Sequence, residues 1–209
     1  MRRLILGLIV GAVVILITQG TGFAHVPYFE YVDYSESHPF VVRKGIEQSI
    51  AVYAWFRNTE DFDVYQFQVV EPVRVFVESL VPVCPGYENL LPWFALVGPD
   101  LPDPEVELPF ALPPGYGAIV VENLEIGEPR ETFYEPFGSK WYYDGPSFDD
   151  YVFTSGTWYV YFWDPYGTVG DYVGVLGYEE QWDRSDILRG LFYTPLIRRD
   201  KELHVECPQ

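Results

Sequence analysis

Two widely separated stretches set the tightest limit on the fold. They are Asp61-Phe62-Asp63-Val64-Tyr65-Gln66-Phe67 and Gly156-Thr157-Trp158-Tyr159-Val160-Tyr161-Phe162, the second followed by Gly170-Asp171-Tyr172-Val173-Gly174-Val175. Each places aromatic or β-branched residues at alternate positions after an acidic or glycine turn, the pattern of a strand with one buried face. Further runs of this kind cover Ile46 to Phe56, Val73 to Val81, Trp93 to Val97, Ala118 to Val121, Tyr151 to Thr154 and Asp171 to Leu176. In Val73 to Val81 the alternation puts Val73, Val75, Val77 and Ser79 on one face and Arg74, Phe76, Glu78 and Leu80 on the other. Short strands separated by turn signals predict an all-β fold: an antiparallel, jelly-roll-like β-sandwich of about seven to nine strands.

The first 24 residues read as a separate object. Met1-Arg2-Arg3 is a positive start, Leu4 to Ile17 is uncharged and apolar, and Gly22-Phe23-Ala24 offers the small residues a signal peptidase reads. An uncleaved anchor is the alternative, because the run to Ala24 approaches the length of a membrane span. The polar stretch Thr18 to Gly22 favours cleavage. The expectation is a secreted or cell-surface protein with a single domain over residues 25–209, a sandwich core at 46–178, a tail at 179–209 and no membrane span after cleavage.

The chain carries 13 Lys and Arg against 31 Asp and Glu, a formal charge of −18 that becomes more negative once Arg2 and Arg3 are removed. Such a surface repels phosphate backbones, which argues against nucleic acid and anionic lipid as partners. Cations, neutral sugars and basic protein surfaces remain. Export makes one disulfide between the two cysteines, Cys84 and Cys207, the expected pairing.

Two stretches break the strand rhythm, and loops on a rigid scaffold are where function is grafted. Pro82 to Gly117 holds half of the 18 prolines, and proline lacks the donor a sheet ladder needs. Glu125 to Asp150 reads as a long aromatic loop containing Tyr134, Trp141, Tyr142 and Tyr143. These rings can stack on sugars or fill a groove on an extracellular protein; equally, they can form the loop's own small core. From Ser185 an apolar stripe at helical spacing follows a helix-capping residue, predicting one short C-terminal helix. Around it sit Arg184, Arg189, Arg198, Arg199 and Lys201, cations suited to docking on the acidic sandwich or to self-association.

The pattern of Asp61, Asp63, Tyr65 and Phe67, then Gly156, Thr157, Trp158, Tyr159 and Val160, then Gly170, Asp171, Tyr172 and Val175 resembles the bacterial pre-peptidase C-terminal domain. The resemblance covers roughly Ile46 to Tyr178. It implies a sandwich module without catalysis, of the kind appended to exported enzymes for binding or targeting, although here the chain stands alone and its two irregular stretches are longer. His25-Val26-Pro27 after the leader is also similar to stand-alone exported prokaryotic proteins. Collagen-binding relatives hold calcium near the start of the sandwich, which implies Glu60, Asp61 and Asp63, with Asp164 or Asp171, as its ligands here. Calcium takes six to eight oxygens, so such a set is adequate; the same acids also serve as ordinary turn and strand-start residues.

Cleavage after Ala24 would leave His25 with a free amine beside its imidazole. With His38 or His204 this would make a three-nitrogen copper site of the kind used by secreted polysaccharide oxygenases. Hydrolase signatures are missing: there is no Gly-x-Ser-x-Gly elbow, no His-Glu-x-x-His helix and no evident pair of glycosidase carboxylates. The expected function is therefore non-catalytic: an exported binding or assembly protein in an extracellular matrix, surface layer or filament, or one in contact with polysaccharide. A copper protein or oxygenase built on His25 and an accessory targeting module are the alternatives.

Overall fold

The computed structural model describes residues 25–207; the leader lies outside them. Among these residues are twelve strands and one helix: β1 (Val26–Phe29), β2 (Phe40–Val41), β3 (Ile50–Phe56), β4 (Phe62–Val69), β5 (Val73–Pro82), β6 (Trp93–Pro99), β7 (Tyr116–Val121), β8 (Thr132–Glu135), β9 (Lys140–Tyr143), β10 (Ser147–Val152), β11 (Gly156–Trp163), β12 (Gly170–Leu176) and α1 (Arg184–Ile197). They form a sandwich-like pair of sheets. One sheet runs β1-β3-β12-β5-β9-β8, with β10 also paired to β5, and the other runs β2-β4-β11-β6-β7. The expected count of seven to nine strands was low, because β1, β2, β8 and β9 are too short to show a period. The sandwich is also not purely antiparallel: β1 pairs β3 and β2 pairs β4 in parallel.

Period two decides what lies between the sheets. Val52, Ala54 and Phe56 of β3, Tyr65 and Phe67 of β4, Val75 and Val77 of β5, and Trp158, Val160 and Phe162 of β11 are buried in one continuous core. Ser79 is buried as the alternation requires, and donates its hydroxyl to the Pro92 carbonyl at 3.3 Å. Packing is close enough to demand glycine at two inward positions. A Cβ on Gly98 would stand 2.2 Å from the Trp158 ring, and one on Gly174 would stand 2.7 Å from the Tyr65 ring.

Both irregular stretches turn out to cover the outer faces of the sheets. The proline-rich chain between β6 and β7 folds over the smaller sheet and stacks Phe110 on Tyr161 at 3.9 Å, next to Val64, Ala95, Val97 and Trp163. The aromatic loop is an antiparallel hairpin of β8 and β9, whose Tyr142 packs on Ala51, Leu80, Val173 and Val175 outside the larger sheet. This explains why β12 is buried along its whole length. The strands β11 and β12 belong to different sheets, so the segment Trp163 to Gly167 crosses between layers rather than closing a hairpin.

Cys84 and Cys207 are joined, with Cα atoms 5.0 Å apart, fixing the C-terminal tail beside β5. The helix is capped by Asp183 rather than Ser185 and so begins two residues earlier than expected. The Asp183 carboxylate accepts from the Ser185 and Asp186 amides, and Asp186 reaches back to the Asp183 amide, so each satisfies donors the first turn leaves open. Lys44 ties both acids to the sandwich at 2.6 and 2.8 Å.

Candidate functional site

Of the five acids expected to hold calcium, Asp63 alone joins a cluster of carboxylates. Its companions are Glu30 and Asp33, from the turn after β1, and one oxygen of each of the three lies within 4.8 Å of the others. Parallel pairing of β1 with β3 brings Glu30 here: its carboxylate accepts from the Trp55 amide at 3.0 Å and from Arg57 at 2.8 Å. Asp63 starts the inward register of β4 and is 1% exposed. Its Oδ2 accepts from the Tyr172 hydroxyl at 2.7 Å, while Oδ1 is buried without a partner. Burial, aided by the neighbouring Glu30 charge, pushes Asp63 well above the usual carboxylate range. Burial likewise raises Glu30 to about 7, against the lowering pull of the Trp55 amide and Arg57. Two buried carboxylates beside each other, with a single arginine on one, form a cage short of positive charge.

Of the other four acids, Asp61 stays beside this cluster, close enough for its charge to act on Glu30 and Asp63, and three are spent elsewhere. Asp171 neighbours Tyr172, so period two turns it to the opposite face of the sheet, where it accepts from the Tyr87 hydroxyl at 2.5 Å and holds His204 at 2.6 Å. Asp164 organises the crossing between layers by accepting from the amides of Leu91, Tyr166 and Thr168. Asp61 accepts from the Arg57 amide at 2.6 Å in the β3–β4 turn. Glu60 is exposed in the same turn.

The three histidines occupy three separate environments. His25 Nδ1 is 2.5 Å from the Ser49 hydroxyl at the start of β3, and burial lowers its pKa to about 4. The His204 ring stacks on Trp55 at 3.8 Å, toward the far end of β3. Six residues of strand separate Ser49 from Trp55, roughly 20 Å, so His25 and His204 do not share an ion in this arrangement. His38 is exposed and pairs with Ser37.

In the aromatic hairpin, alternation divides the candidates. Tyr142 is 2% exposed and belongs to the packing, and Tyr143 is half-buried with the Arg130 guanidinium 4.1 Å from its ring. Trp141 and Tyr134 are cross-strand partners on the outer surface, 54% and 47% exposed, with ring centroids 5.6 Å apart.

The cations around α1 were expected to dock the tail or to serve self-association, and the apolar stripe was given no place. The stripe faces outward: Ile187, Leu188, Leu191 and Phe192 are 50–71% exposed. Other side chains dock the helix: Tyr193 stacks on Phe29 at 4.5 Å, Arg189 lies 4.0 Å from the Tyr28 ring, and Arg198 donates to the Phe137 carbonyl. Gly190 admits the Trp182 ring where a Cβ would stand within 2.6 Å of it. A cleft of about 500 Å³ runs along the helix between Phe137, Trp182, Ile187 and Leu191. Arg184, Arg199 and Lys201 are exposed here and form no ion pair among the described residues. Among those residues, no helix is long and apolar enough to cross a membrane. The sequence matches no protein-family model and no curated protein.

Proposed function

We propose that this protein is an exported, non-catalytic β-sandwich that assembles with further copies of itself at the cell surface, using the outward face of α1 as one contact. The observation that carries this reading is that face: Leu188, Leu191 and Phe192 exposed together, with unpaired cations around them. Exposed apolar residues gathered on one face mark an interaction surface. On a chain of net charge −18, a local excess of cations makes the acidic surface of a second copy its electrostatic complement. A matching patch lies at the other edge of the larger sheet, where Tyr151 and Phe153 are 55% and 72% exposed next to Asp150. With α1 packed on β1 and β10 paired to β5, the two patches are about four strand spacings apart, roughly 19 Å. Unlike patches at opposite edges meet head to tail, and a head-to-tail contact that does not close continues as a filament or layer.

Light scattering of the processed protein tests this. The wild type should grow in mass with concentration and shrink with added salt. Leu191→Asp with Phe192→Asp, or Phe153→Asp alone, should stay monomeric with unchanged folding. A wild type that remains monomeric to about 1 mM, or variants that assemble as well as it does, would remove the reading.

Calcium at Glu30, Asp33 and Asp63 belongs to the same proposal, supported by the orphaned buried Asp63 Oδ1 and by the resemblance to the pre-peptidase C-terminal domain. Oxygen-only ligands of high charge suit this ion. Contact with an extracellular polysaccharide is the second reading, favoured by the exposed Tyr134 and Trp141 rings. If it holds, Trp141→Ala abolishes retention on the polysaccharide that retards the wild type.

A further inference from the structure

A separate cavity of about 370 Å³ lies between the chain from Pro39 to Lys44 and the inner side of α1. Tyr28, Tyr34, Arg43, Lys44, Ser185 and Arg189 bound it, and this concentration of cations stands out on so acidic a chain. Lys44 is already satisfied by Asp183 and Asp186. Arg189 is not: its guanidinium lies over the Tyr28 ring, its Nε is buried without a hydrogen bond, and among the described residues no carboxylate pairs with it. Arg43 is exposed and likewise has no carboxylate partner among them. A buried donor left without an acceptor is costly, and native structures satisfy nearly all such groups. An anion is the group that would complement Arg43 and Arg189.

The walls narrow the chemistry. A guanidinium presents a planar fork that matches a carboxylate with two parallel hydrogen bonds. The half-buried rings of Tyr28 and Tyr34 line the cavity and give a ligand ring apolar walls to lie against. The volume falls in the range of small-ligand sites. Ligands carrying several phosphates fit less well, because a chain of net charge −18 repels multiple charges.

We infer that this cavity binds a singly charged ring carboxylate of sugar size, a uronic acid, with its carboxylate on Arg189 and its ring against the tyrosines. The same group occurs as a free sugar acid and at the end of an acidic polysaccharide. The inference stands whether or not α1 mediates assembly, since Arg189 packs against Tyr28 while the apolar stripe faces out.

Calorimetric titration of the processed protein with glucuronate, glucose and a glucuronate oligomer tests it. Glucuronate should bind at least tenfold more tightly than glucose. The oligomer binding more tightly than the monomer identifies a chain end as the ligand, and the reverse identifies the free acid. Arg189→Gln should weaken glucuronate binding at least tenfold, with Arg189→Lys between it and wild type, as expected for loss of a fork rather than of charge alone. If Arg189→Gln does not fold, the Tyr28 and Tyr34 ring signals of the wild type decide, and they should shift on titration. No heat with glucuronate to about 10 mM, equal affinity for glucose, or shifts confined to other residues would overturn the assignment.

Discussion

Asp63 and Glu30 are held by burial in a form that resists ionisation, and this sets how stability responds to pH. Glu30 titrates near 4.5 in the unfolded chain and about 7 in the folded one. Its contribution is therefore complete below pH 4.5 and is lost as pH rises through 7. Metal-free protein should lose on the order of 2–3 kcal/mol between those values from this group, and Glu30→Gln should flatten the slope in denaturant titrations. Burial drives His25 the other way, to about 4: its contribution is present above pH 6.5 and is lost as pH falls toward 4. Calcium, which binds the ionised carboxylates, should raise the unfolding midpoint more at pH 8 than at pH 5. Asp63→Asn should abolish that rise, and an equal rise in the variant would place the ion elsewhere. Asp63 was readable because it opens a strongly alternating strand. Glu30 and Asp33 were not: they lie in an aperiodic turn, and only the parallel pairing of a four-residue strand carries them to the cluster.

At the scale of elements, the aromatic hairpin and the proline-rich segment show how a covering layer imitates a functional loop. Both have turn residues and exposed-looking aromatic runs, yet Tyr142 and Phe110 sit in satellite cores. A clean contrast follows between adjacent residues. Tyr142→Ala should cost about 3–4 kcal/mol, whereas Trp141→Ala should change stability by no more than about 0.5 kcal/mol, both read from chemical unfolding. Gly98→Ala should cost about 1–3 kcal/mol by forcing the Trp158 ring to move. Seven of the strands were legible from sequence to within a few residues; β10 was not, because four of its six residues lay in the stretch read as the aromatic loop. The orientation of α1 was not, because its docking depends on one stacked tyrosine, a glycine notch and Lys44, none of which follows helical hydrophobic spacing.

Over the whole molecule, a disulfide and a charge asymmetry set the behaviour. The bond between Cys84 and Cys207 spans 123 residues, and closing a loop of that length in the unfolded chain stabilises by about 5 kcal/mol. Reduction, or Cys84→Ser, should lower the thermal midpoint by roughly 10–20 °C. Two cysteines in a chain expected to be exported made this pairing readable from the start. The asymmetry was visible as basic residues in the tail, but their meeting with an outward apolar stripe required the fold. Amide hydrogen exchange at low and high protein concentration tests the central claim most directly. If copies assemble through α1, residues 187–192 and 149–153 gain protection together as concentration rises, while 132–143 do not change. Protection that is independent of concentration, or gained only at 132–143, would contradict it.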